Sequence, residues 1–268
     1  MNANVYLQKS KNREKFVREV FEKFEIKEEL KKAKRILLKP NIVSFEPYPT
    51  TTSPEMLKIL LELVLEQKKE VVVADAPAFD AGPSGEIIEN HPLKKICDEF
   101  GVEMVNLNTQ EFKKVKSPSF QLNVSTFPFQ FDFIVSLPVL KSHSTTGITG
   151  ALKNQFGLLD SEQRISLHLA LLREDIHKAI AELNLIFKID LWIVDAIETL
   201  IKTNEVRHGG ERKELGYMLA GRDPVALDTE GLKLLKKVDP NLRDKSPEDV
   251  LHLKWAIDLG LGKSNYLL

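Results

Sequence analysis

The residues best suited to chemistry are concentrated in the stretch KSHSTTGITGALKN, from Lys141 to Asn154. An apolar run comes first, and then lysines, a histidine, threonines and glycines follow one another closely. Glycines let the backbone approach a ligand, and exposed N–H groups, hydroxyls and ammonium groups together suit a phosphate or a carboxylate. The stretch therefore predicts an anion site that uses Lys141, Thr149, Gly150, Lys153 and Asn154. A purely structural glycine–threonine loop remains the alternative.

The spacing of the glycines excludes the common nucleotide motifs. A Walker P-loop has its lysine directly after the last glycine, and here two residues separate Gly150 from Lys153. The dinucleotide glycine fingerprint is absent as well. The expected ligand is therefore a small anionic metabolite rather than a nucleotide held by a known loop.

His143 is the candidate for proton transfer in this stretch. An imidazole titrates near neutrality, and the flanking lysines are expected to keep His143 neutral. No second histidine lies at a metal-ligand spacing from it, so no metal site is predicted. Three other histidines are interpreted as surface or loop residues: His91, His208 and His252. His168 is interpreted either as a residue that reaches the site or as a half-buried packing residue.

Polar residues also follow the apolar runs that predict strands. In open α/β sheets, ligands bind outside the carboxyl ends of the strands, so side chains at those ends are expected to meet. The residues expected at this edge are Lys39, Asn41, Asp75, Ser136, Lys141, His143, Asp195, Glu198, Arg222 and Asp223. Of these, Lys39, Asp75 and His143 are predicted to be catalytic, with Lys39 neutralising charge that develops on the substrate.

Each carboxylate at this edge also has a structural interpretation. Asp75 suits a turn cap, Asp195 could brace a loop, and Asp223 directly before Pro224 suits a helix N-cap. A magnesium site made of the three carboxylates is a weaker alternative to the anion site, since such groups commonly bind cations only when a phosphate helps.

The composition excludes several other kinds of site and partner. Cys97 is the only cysteine, which excludes an intrachain disulfide and a cysteine-ligated cluster or zinc site. The net charge of −1 provides no overall field for nucleic acid or an anionic membrane. No apolar run approaches the roughly 20 residues that span a bilayer, and the start does not resemble a signal peptide. We therefore expect a cytoplasmic protein without nucleic-acid or membrane partners. Lysine and glutamate supply most of the charge, which is compatible with a hot habitat.

Short apolar runs alternate with amphipathic stretches along the chain. This pattern predicts an α/β fold with a mainly parallel sheet, helices on both faces, and a hairpin inserted at 108–131. No linker-like segment interrupts the pattern, so residues 1–268 are predicted to form one domain. One helix face is predicted from the spacing of Ile165, Leu169, Leu172, Ile176, Ile180 and Leu183.

Several of these segments together resemble a known family. The chain contains, in this order, LLKPNIV, TTSPEML, VVVADAP, LPVLKSHSTTGITGALKNQFGLL, Arg164 with His168, IVDAI and LAGRDPVALD. In this order the segments are similar to the family catalogued as domain of unknown function 362. The resemblance implies an α/β fold and marks motif positions, which include Asp228 in addition to the residues above.

The family resemblance implies little defined chemistry. Many members carry a ferredoxin-like iron–sulfur segment, which a chain with Cys97 as its only cysteine cannot form. Three functions remain open from the sequence: an enzyme acting on a small anionic metabolite, a non-catalytic anion sensor or carrier, and a redox protein working with a separate ferredoxin-like partner. The cofactor stays open as well.

Overall fold

The computed structural model describes residues 3–169 and 174–268. In that part of the chain the β-strands are Ala3–Lys9 (β1), Arg35–Lys39 (β2), Glu70–Asp75 (β3), Glu103–Asn106 (β4), Phe112–Lys116 (β5), Gln121–Ser125 (β6), Phe133–Ser136 (β7), Lys141–His143 (β8), Gly147–Thr149 (β9), Leu191–Ile201 (β10), Glu211–Gly221 (β11) and Tyr266–Leu267 (β12). The α-helices there are Arg13–Lys23 (α1), Ile26–Lys32 (α2), Pro54–Leu65 (α3), Ser84–Asn90 (α4), Pro92–Glu99 (α5), Ala151–Asn154 (α6), Ser161–Leu169 (α7), Glu174–Ile186 (α8), Pro224–Leu235 (α9) and Leu251–Asp258 (α10).

The local sequence explains where several helices begin. Asn12 caps α1, because its side-chain oxygen accepts a hydrogen bond of 2.8 Å from the backbone N–H of Lys15. Helices α3 and α9 each begin with a proline, Pro54 and Pro224, at a position where a missing N–H costs nothing. None of the helices in the described residues has both the length and the apolar composition needed to cross a bilayer.

The main sheet of the described residues has eight strands in the order β12-β1-β11-β10-β7-β2-β3-β4. The strands from β10 to β4 run parallel to one another, whereas β11 is antiparallel to both of its neighbours, β1 and β10. This mainly parallel sheet confirms the predicted α/β class. The antiparallel direction of β11 was not predicted, and it decides where the residues after β11 lie.

Helices cover both faces of the sheet. Leu37 and Leu38 are adjacent in β2, are fully buried and point to opposite faces, as successive strand residues do. Leu37 packs in a core with residues of α8, α9 and α10, and Leu38 packs in a second core with residues of α1, α3 and α5. Each fully buried leucine contributes roughly 2 kcal/mol of transfer free energy. Burial on both faces explains why the central strands are continuous apolar runs.

Two small ribbons lie beside the main sheet. The predicted hairpin at 108–131 contains β5 and β6, which pair antiparallel from Phe112 with Ser125 to Lys116 with Gln121. The stretch predicted as a glycine–threonine loop contains a second ribbon, in which β8 pairs with β9. Its turn includes Gly147, whose φ of +80° favours glycine. The stretch is therefore more ordered than the sequence suggested.

The long helix face predicted between Ile165 and Leu183 is wrong in its first part. Ile165 and Leu169 are exposed on α7, whereas Ile176, Ile180 and Leu183 are buried on α8. Leu167 is the buried apolar residue of α7, so the apolar spacing does not continue from one helix to the next. Leu172 lies outside the described residues.

Candidate functional site

A cavity of about 610 Å³ opens at the carboxyl edge of β2 and β3. Its other walls come from the β8–β9 ribbon, α6, α7 and the connection between β10 and β11. Seven of the residues predicted from the sequence line it: Asn41, Asp75, Lys141, His143, Thr149, Lys153 and Asn154. Because these residues follow different strands, their meeting results from the parallel sheet, as the strand-end argument expects.

Lys39 and Asp75 form a buried ion pair at the base of the cavity. The Nζ atom of Lys39 lies 2.6 Å from Oδ1 of Asp75 and 2.6 Å from the carbonyl oxygen of Asn154. The other carboxylate oxygen accepts a hydrogen bond of 2.6 Å from the backbone N–H of Ile42. Burial raises the pKa of Asp75 and lowers the pKa of Lys39, each against the attraction of the other group. Lys39 itself is not among the residues that line the cavity, and it connects β2 to α6.

Lys141 is fully buried, and uncharged acceptors hold its ammonium group. Its Nζ donates to Oδ1 of Asn41 at 3.0 Å and to the carbonyl oxygen of Thr50 at 2.6 Å. Burial is the main reason that its pKa falls to about 7, and the positive charge of Lys153 lowers it further. Lys141 is therefore a donor fixed in the cavity wall, with a charge that depends on pH.

Lys153 and Arg164, like Lys141, line the cavity without a carboxylate counter-ion among the described residues. Neither forms an ion pair with a carboxylate of the residues that the structure describes. The Nζ of Lys153 lies 4.7 Å from the ring centroid of Phe156, and burial together with Arg164 lowers its pKa to about 8. Arg164 is 4% exposed and donates to the carbonyl oxygen of Pro77 at 3.0 Å and to Oδ1 of Asn108.

His143 and His168, which line the cavity, hold their protons on different ring atoms. Nδ1 of His143 accepts from the backbone N–H groups of Thr145 and Thr146 at 3.1 and 3.3 Å, so the neutral ring carries its proton on Nε2. Nδ1 of His168 lies 2.7 Å from the carbonyl oxygen of Arg164 and must donate, which leaves the lone pair on Nε2. Burial is the main cause that lowers the pKa of both rings, and it lowers that of His143 well below the usual value.

This geometry changes the role expected for His143. A neutral ring whose Nδ1 already accepts two backbone N–H groups has no lone pair left to take a proton. His143 is therefore built to donate a hydrogen bond from Nε2, in agreement with the expectation that it stays neutral. His168 is the ring with a free acceptor, so a base in this cavity is His168 rather than His143.

Two side-chain oxygens of cavity residues are buried without a partner among the described residues, as is Nε of Arg164. Oγ1 of Thr149 and Oδ1 of Asn154 form no hydrogen bond with any described residue. The amide nitrogen of Asn154 is held by Oγ of Ser136 at 2.8 Å, which fixes the side chain. Leaving a buried polar atom unpaired costs roughly 1–3 kcal/mol. Both atoms therefore favour a polar ligand beside them.

Gly150 and Asp228 position α6 rather than line the cavity. The carboxylate of Asp228 accepts from the backbone N–H groups of Ala151 and Leu152 at 2.6 and 3.0 Å. A Cβ atom on Gly150 would lie 2.1 Å from Oδ1 of this carboxylate, so the approach requires glycine. Burial is the main cause that raises the pKa of Asp228 to about 7. Gly150 thus acts on the site through α6, which carries Lys153.

Asp195 does not lie at the cavity, contrary to the prediction. Its Oδ2 accepts from Nε of Arg13 at 2.7 Å, and its Oδ1 accepts from the hydroxyl of Tyr48 at 2.7 Å. Strand β10 continues to Ile201, so Asp195 lies in the middle of the strand and is 1% exposed. These contacts agree with the structural alternative given for Asp195 in the sequence analysis, in which it braces a loop.

Asp223 is also misplaced by the prediction, for a topological reason. Strand β11 runs antiparallel, and its last residue, Gly221, pairs with Trp192 near the start of β10. The residues after β11 therefore lie at the edge of the sheet opposite to the cavity. Asp223 caps α9 there, accepting from the backbone N–H of Ala226 at 2.9 Å and that of Lys263 at 3.0 Å. The alternative magnesium site of Asp75, Asp195 and Asp223 is excluded, because the three carboxylates do not meet.

A family model shows where this arrangement belongs. The model described as "Domain of unknown function (DUF362)" matches residues 36–233, which include every residue of the chain placed at the cavity above. The chain belongs to the DUF362 family. The resemblance noted from the sequence is thereby confirmed.

Among curated proteins, the DUF362 chain is similar to the thylakoid-associated protein sll1697 of Synechocystis sp. The two are 27% identical over 210 residues, which are 74% of this chain and 62% of the relative. The chain therefore spans about three fifths of the length of that protein.

Two solved structures resemble this DUF362 chain. The lactate racemase apoprotein of Thermoanaerobacterium thermosaccharolyticum superposes with a TM-score of 0.56 at 12% identity, over 88% of this chain and 57% of that one. A protein from Thermotoga maritima gives a TM-score of 0.48 at 17% identity, over 80% and 57% of the two chains. The first similarity shows a shared fold.

The structure of this DUF362 member adds residues that were not among the predicted site residues. Arg164 and His168 lie one helical turn apart on α7 and both line the cavity. Their i, i+4 spacing, which puts both side chains on one face of a helix, was the available signal, and His168 reaches the site as one of its two interpretations expected. The connection between β10 and β11 forms the mouth of the cavity with Lys202, Thr203, Asn204, Glu205, His208 and Gly209.

Three potential metal ligands of this DUF362 chain meet at the mouth. One ligand atom each from Asp80, Glu205 and His208 lie within 4.8 Å of one another. Arg207 already binds both carboxylates, with its Nε 2.6 Å from Glu205 and its Nη2 3.0 Å from Asp80. The arginine neutralises charge that a cation would need, so this cluster is an ion-pair network that orders the mouth.

Two histidines that were interpreted as surface residues are buried. His91 caps α5 by accepting from the backbone N–H of Leu93 at 3.2 Å, and it is 1% exposed. His252 is 0% exposed and stacks on His177 with a centroid distance of 6.1 Å. Burial lowers the pKa of His91 to about 4 and that of His252 to about 3. His208, by contrast, is exposed.

Proposed function

We propose that this protein is an enzyme whose substrate is a small metabolite bearing a phosphate or a carboxylate. The observation that carries the proposal is the pair of half-buried Lys153 and buried Arg164, two cations at one cavity without a carboxylate partner among the described residues. Leaving a charge buried and unpaired costs several kcal/mol. An anionic ligand would remove that cost, and it would also pair with the unpartnered Oγ1 of Thr149.

The two histidines support a catalytic rather than a purely binding role. His168 offers a lone pair on Nε2 and is neutral at physiological pH, so it can accept a proton from a bound substrate. His143 offers an N–H group that is fixed by two backbone contacts. A fixed donor stabilises negative charge on a substrate oxygen without having to reorganise. A reaction that moves a proton next to a carbonyl or carboxylate group fits this pair.

A non-catalytic sensor or carrier for an anion is the second candidate. It is favoured by the locked state of His143, which can donate a hydrogen bond but cannot take up a proton. For this function His143→Gln is expected to keep ligand binding, because the glutamine amide is also a donor. For the enzyme, His168→Gln is expected to abolish turnover while ligand binding remains.

Thermal unfolding in the presence of inorganic phosphate and of oxalate tests the anion site. Both ions are expected to raise the melting temperature of the wild type. Lys153→Met and Arg164→Met each remove a charge-assisted contact worth about 1.5–3 kcal/mol, so affinity should fall roughly tenfold to hundredfold. Lys58→Met is the matched control, since Lys58 is exposed on α3. If both cavity variants respond to the ions as Lys58→Met does, the anion site is wrong.

Other properties expected from the sequence remain predictions. They are a cytoplasmic location, the absence of nucleic-acid and membrane partners, a separate ferredoxin-like partner, and adaptation to a hot habitat. The relative from Synechocystis is named for its association with thylakoids, so fractionation of cells is the direct test of location. Purification under anaerobic conditions tests the redox partner.

A further inference from the structure

Lys153 differs from Lys39 and Lys141 in what its ammonium group contacts. Lys39 is bound to Asp75, and Lys141 is bound to two oxygen acceptors. The contact made by Nζ of Lys153 is with the face of the Phe156 ring, at 4.7 Å from the centroid. Among the described residues it has no hydrogen-bond acceptor and no ion-pair partner. Its nitrogen is therefore available to a ligand.

The surroundings of Lys153 favour its neutral amine. Burial is the main cause that lowers its pKa to about 8, and the guanidinium of Arg164 adds to this effect. At pH 8 its free-amine fraction exceeds that of an ordinary lysine, with a pKa near 10.4, on the order of a hundredfold. A lysine that is desolvated beside another cation is an activated nucleophile.

The groups that handle protons and charge during amine addition line the same cavity. His168 has its lone pair on Nε2 and can take the proton that the ammonium group must lose. His143 donates from Nε2 and can hold a carbonyl oxygen as it becomes negative. Arg164 can bind a carboxylate or phosphate of the same molecule. A lysine that only bound an anion would need neither histidine in this arrangement.

We propose that Lys153 forms an imine with the carbonyl carbon of a small acid that also carries an aldehyde or ketone group. This inference rests on the anion-binding role proposed above and narrows the substrate class to carbonyl acids. The amine adds to the carbonyl carbon after a proton moves to His168, and a C–N bond forms as the C=O π bond opens. One proton then passes from the nitrogen to the oxygen and His168 returns the other, so that the oxygen leaves as water when the C=N bond forms, and hydrolysis reverses the sequence.

Reductive trapping with glyoxylate tests the proposal. Glyoxylate is a small anionic aldehyde, and sodium cyanoborohydride reduces an imine to a stable secondary amine that adds a fixed mass. Wild-type protein treated briefly at low glyoxylate concentration should carry one adduct, and peptide mapping should place it on Lys153. Its rate of formation should rise with a midpoint near pH 8, as set by the pKa of Lys153, rather than near 10.

One variant and one control define the site of modification. Lys153→Arg keeps the positive charge but cannot form an imine. The yield of adduct should therefore fall by at least about tenfold in this variant, since the free-amine fraction of an ordinary lysine is about a hundredfold lower than that of Lys153. Lys58→Met removes an exposed lysine and should label like the wild type. Melting curves of each variant establish folding. If Lys153→Arg does not fold, the mapped position in the wild type decides the question.

The outcomes separate this inference from the function on which it rests. The inference is supported if the adduct maps to Lys153 in the wild type and is lost in Lys153→Arg. An adduct spread evenly over surface lysines, or placed on Lys141, overturns it. If oxalate stabilises the wild type and no adduct forms, the imine is wrong and the anion site stands. If oxalate does not stabilise the protein and no adduct forms, both are wrong.

Discussion

Replacing Lys39 by methionine tests the buried ion pair at the base of the cavity. Methionine has a similar length without the charge, so the change leaves the carboxylate of Asp75 buried with its bond to the backbone of Ile42. The side chains of Lys39 and Asp75 are 1% and 3% exposed, and their charged atoms lie 2.6 Å apart. Water therefore cannot replace the lost ammonium group without opening the cavity base.

The magnitude follows from this burial. Removing one partner of a buried ion pair costs about 3–5 kcal/mol, because the remaining charge is uncompensated. Asp75→Asn keeps the shape of the side chain and should destabilise the protein less than Lys39→Met does. Without the carboxylate the pKa of buried Lys39 is lowered further, so Lys39 can release its proton. The double variant Lys39→Met/Asp75→Asn leaves no buried charge, so its cost should fall short of the sum by about 2–3 kcal/mol.

Urea unfolding at pH 7, followed by circular dichroism, measures these free energies. The slope of free energy against urea should stay the same in all variants, since the native surface does not change. Lys58→Met provides the control and should stay within about 0.5 kcal/mol of the wild type. A cost below about 1 kcal/mol for Lys39→Met, or strict additivity in the double variant, would refute the argument that the pair is coupled and desolvated.

Three further changes probe other parts of the structure by urea unfolding. Neutral His252 binds a proton more readily when unfolded, where its pKa is near 6.5, than when folded, where it is about 3. The stability that neutral His252 contributes is therefore fully present above pH 6.5 and declines as the pH falls below that value. Between pH 7 and pH 5 the free energy of unfolding of the wild type should fall by about 2 kcal/mol more than that of His252→Gln. Equal losses would contradict this. Gly150→Ala places a Cβ 2.1 Å from Asp228 and should destabilise by about 1–3 kcal/mol, whereas Gly85→Ala, in an open helical position, should be neutral or stabilising by up to about 1 kcal/mol. Asp223→Ala should cost about 1 kcal/mol through loss of the α9 cap and leave stabilisation by oxalate unchanged; a loss of the oxalate effect would return Asp223 to the site.

Side chains near the ends of the parallel strands lie where the sequence predicts them. Lys141, His143 and Lys153 follow β7, while Asn41 and Asp75 follow β2 and β3, and parallel strands bring all five to one edge. Apolar runs are sufficient to predict these strands, because both of their faces are buried. The central part of the cavity could therefore be predicted from the sequence.

Asp195 and Asp223 lie away from the predicted edge because strand length and strand direction decide their positions. The apolar run at the end of β11 has the same pattern whether the strand is parallel or antiparallel to its neighbours. The sequence therefore could not show that Asp223 lies at the opposite edge of the sheet. Strand β10 continues past the residues that suggested its end, and this extension buries Asp195 beside Arg13. Pairing between strands decides both features, and such pairing is a long-range property that local patterns do not contain.

The contributions of Arg164 and His168 depended on tertiary contacts as well. Their roles follow from hydrogen bonds to backbone carbonyls, which fix one guanidinium and one ring tautomer. Residue type predicted that His143 would be neutral, but only the two backbone N–H groups on Nδ1 show that it must donate. The division of roles between the histidines was therefore beyond the sequence.

The mouth of the cavity is formed by the connection between the antiparallel strands β10 and β11, and this connection can change without disturbing the rest of the fold. A connection between parallel strands must cross the sheet, so changing it disturbs the packing of a whole layer. The segment from Lys202 to Gly209 instead joins two neighbouring strands that are paired along most of their length. Insertions there can alter which molecules enter while the cations and histidines below keep their positions. In this fold, the residues that form the entrance and the charged residues at the base belong to separate segments of the chain.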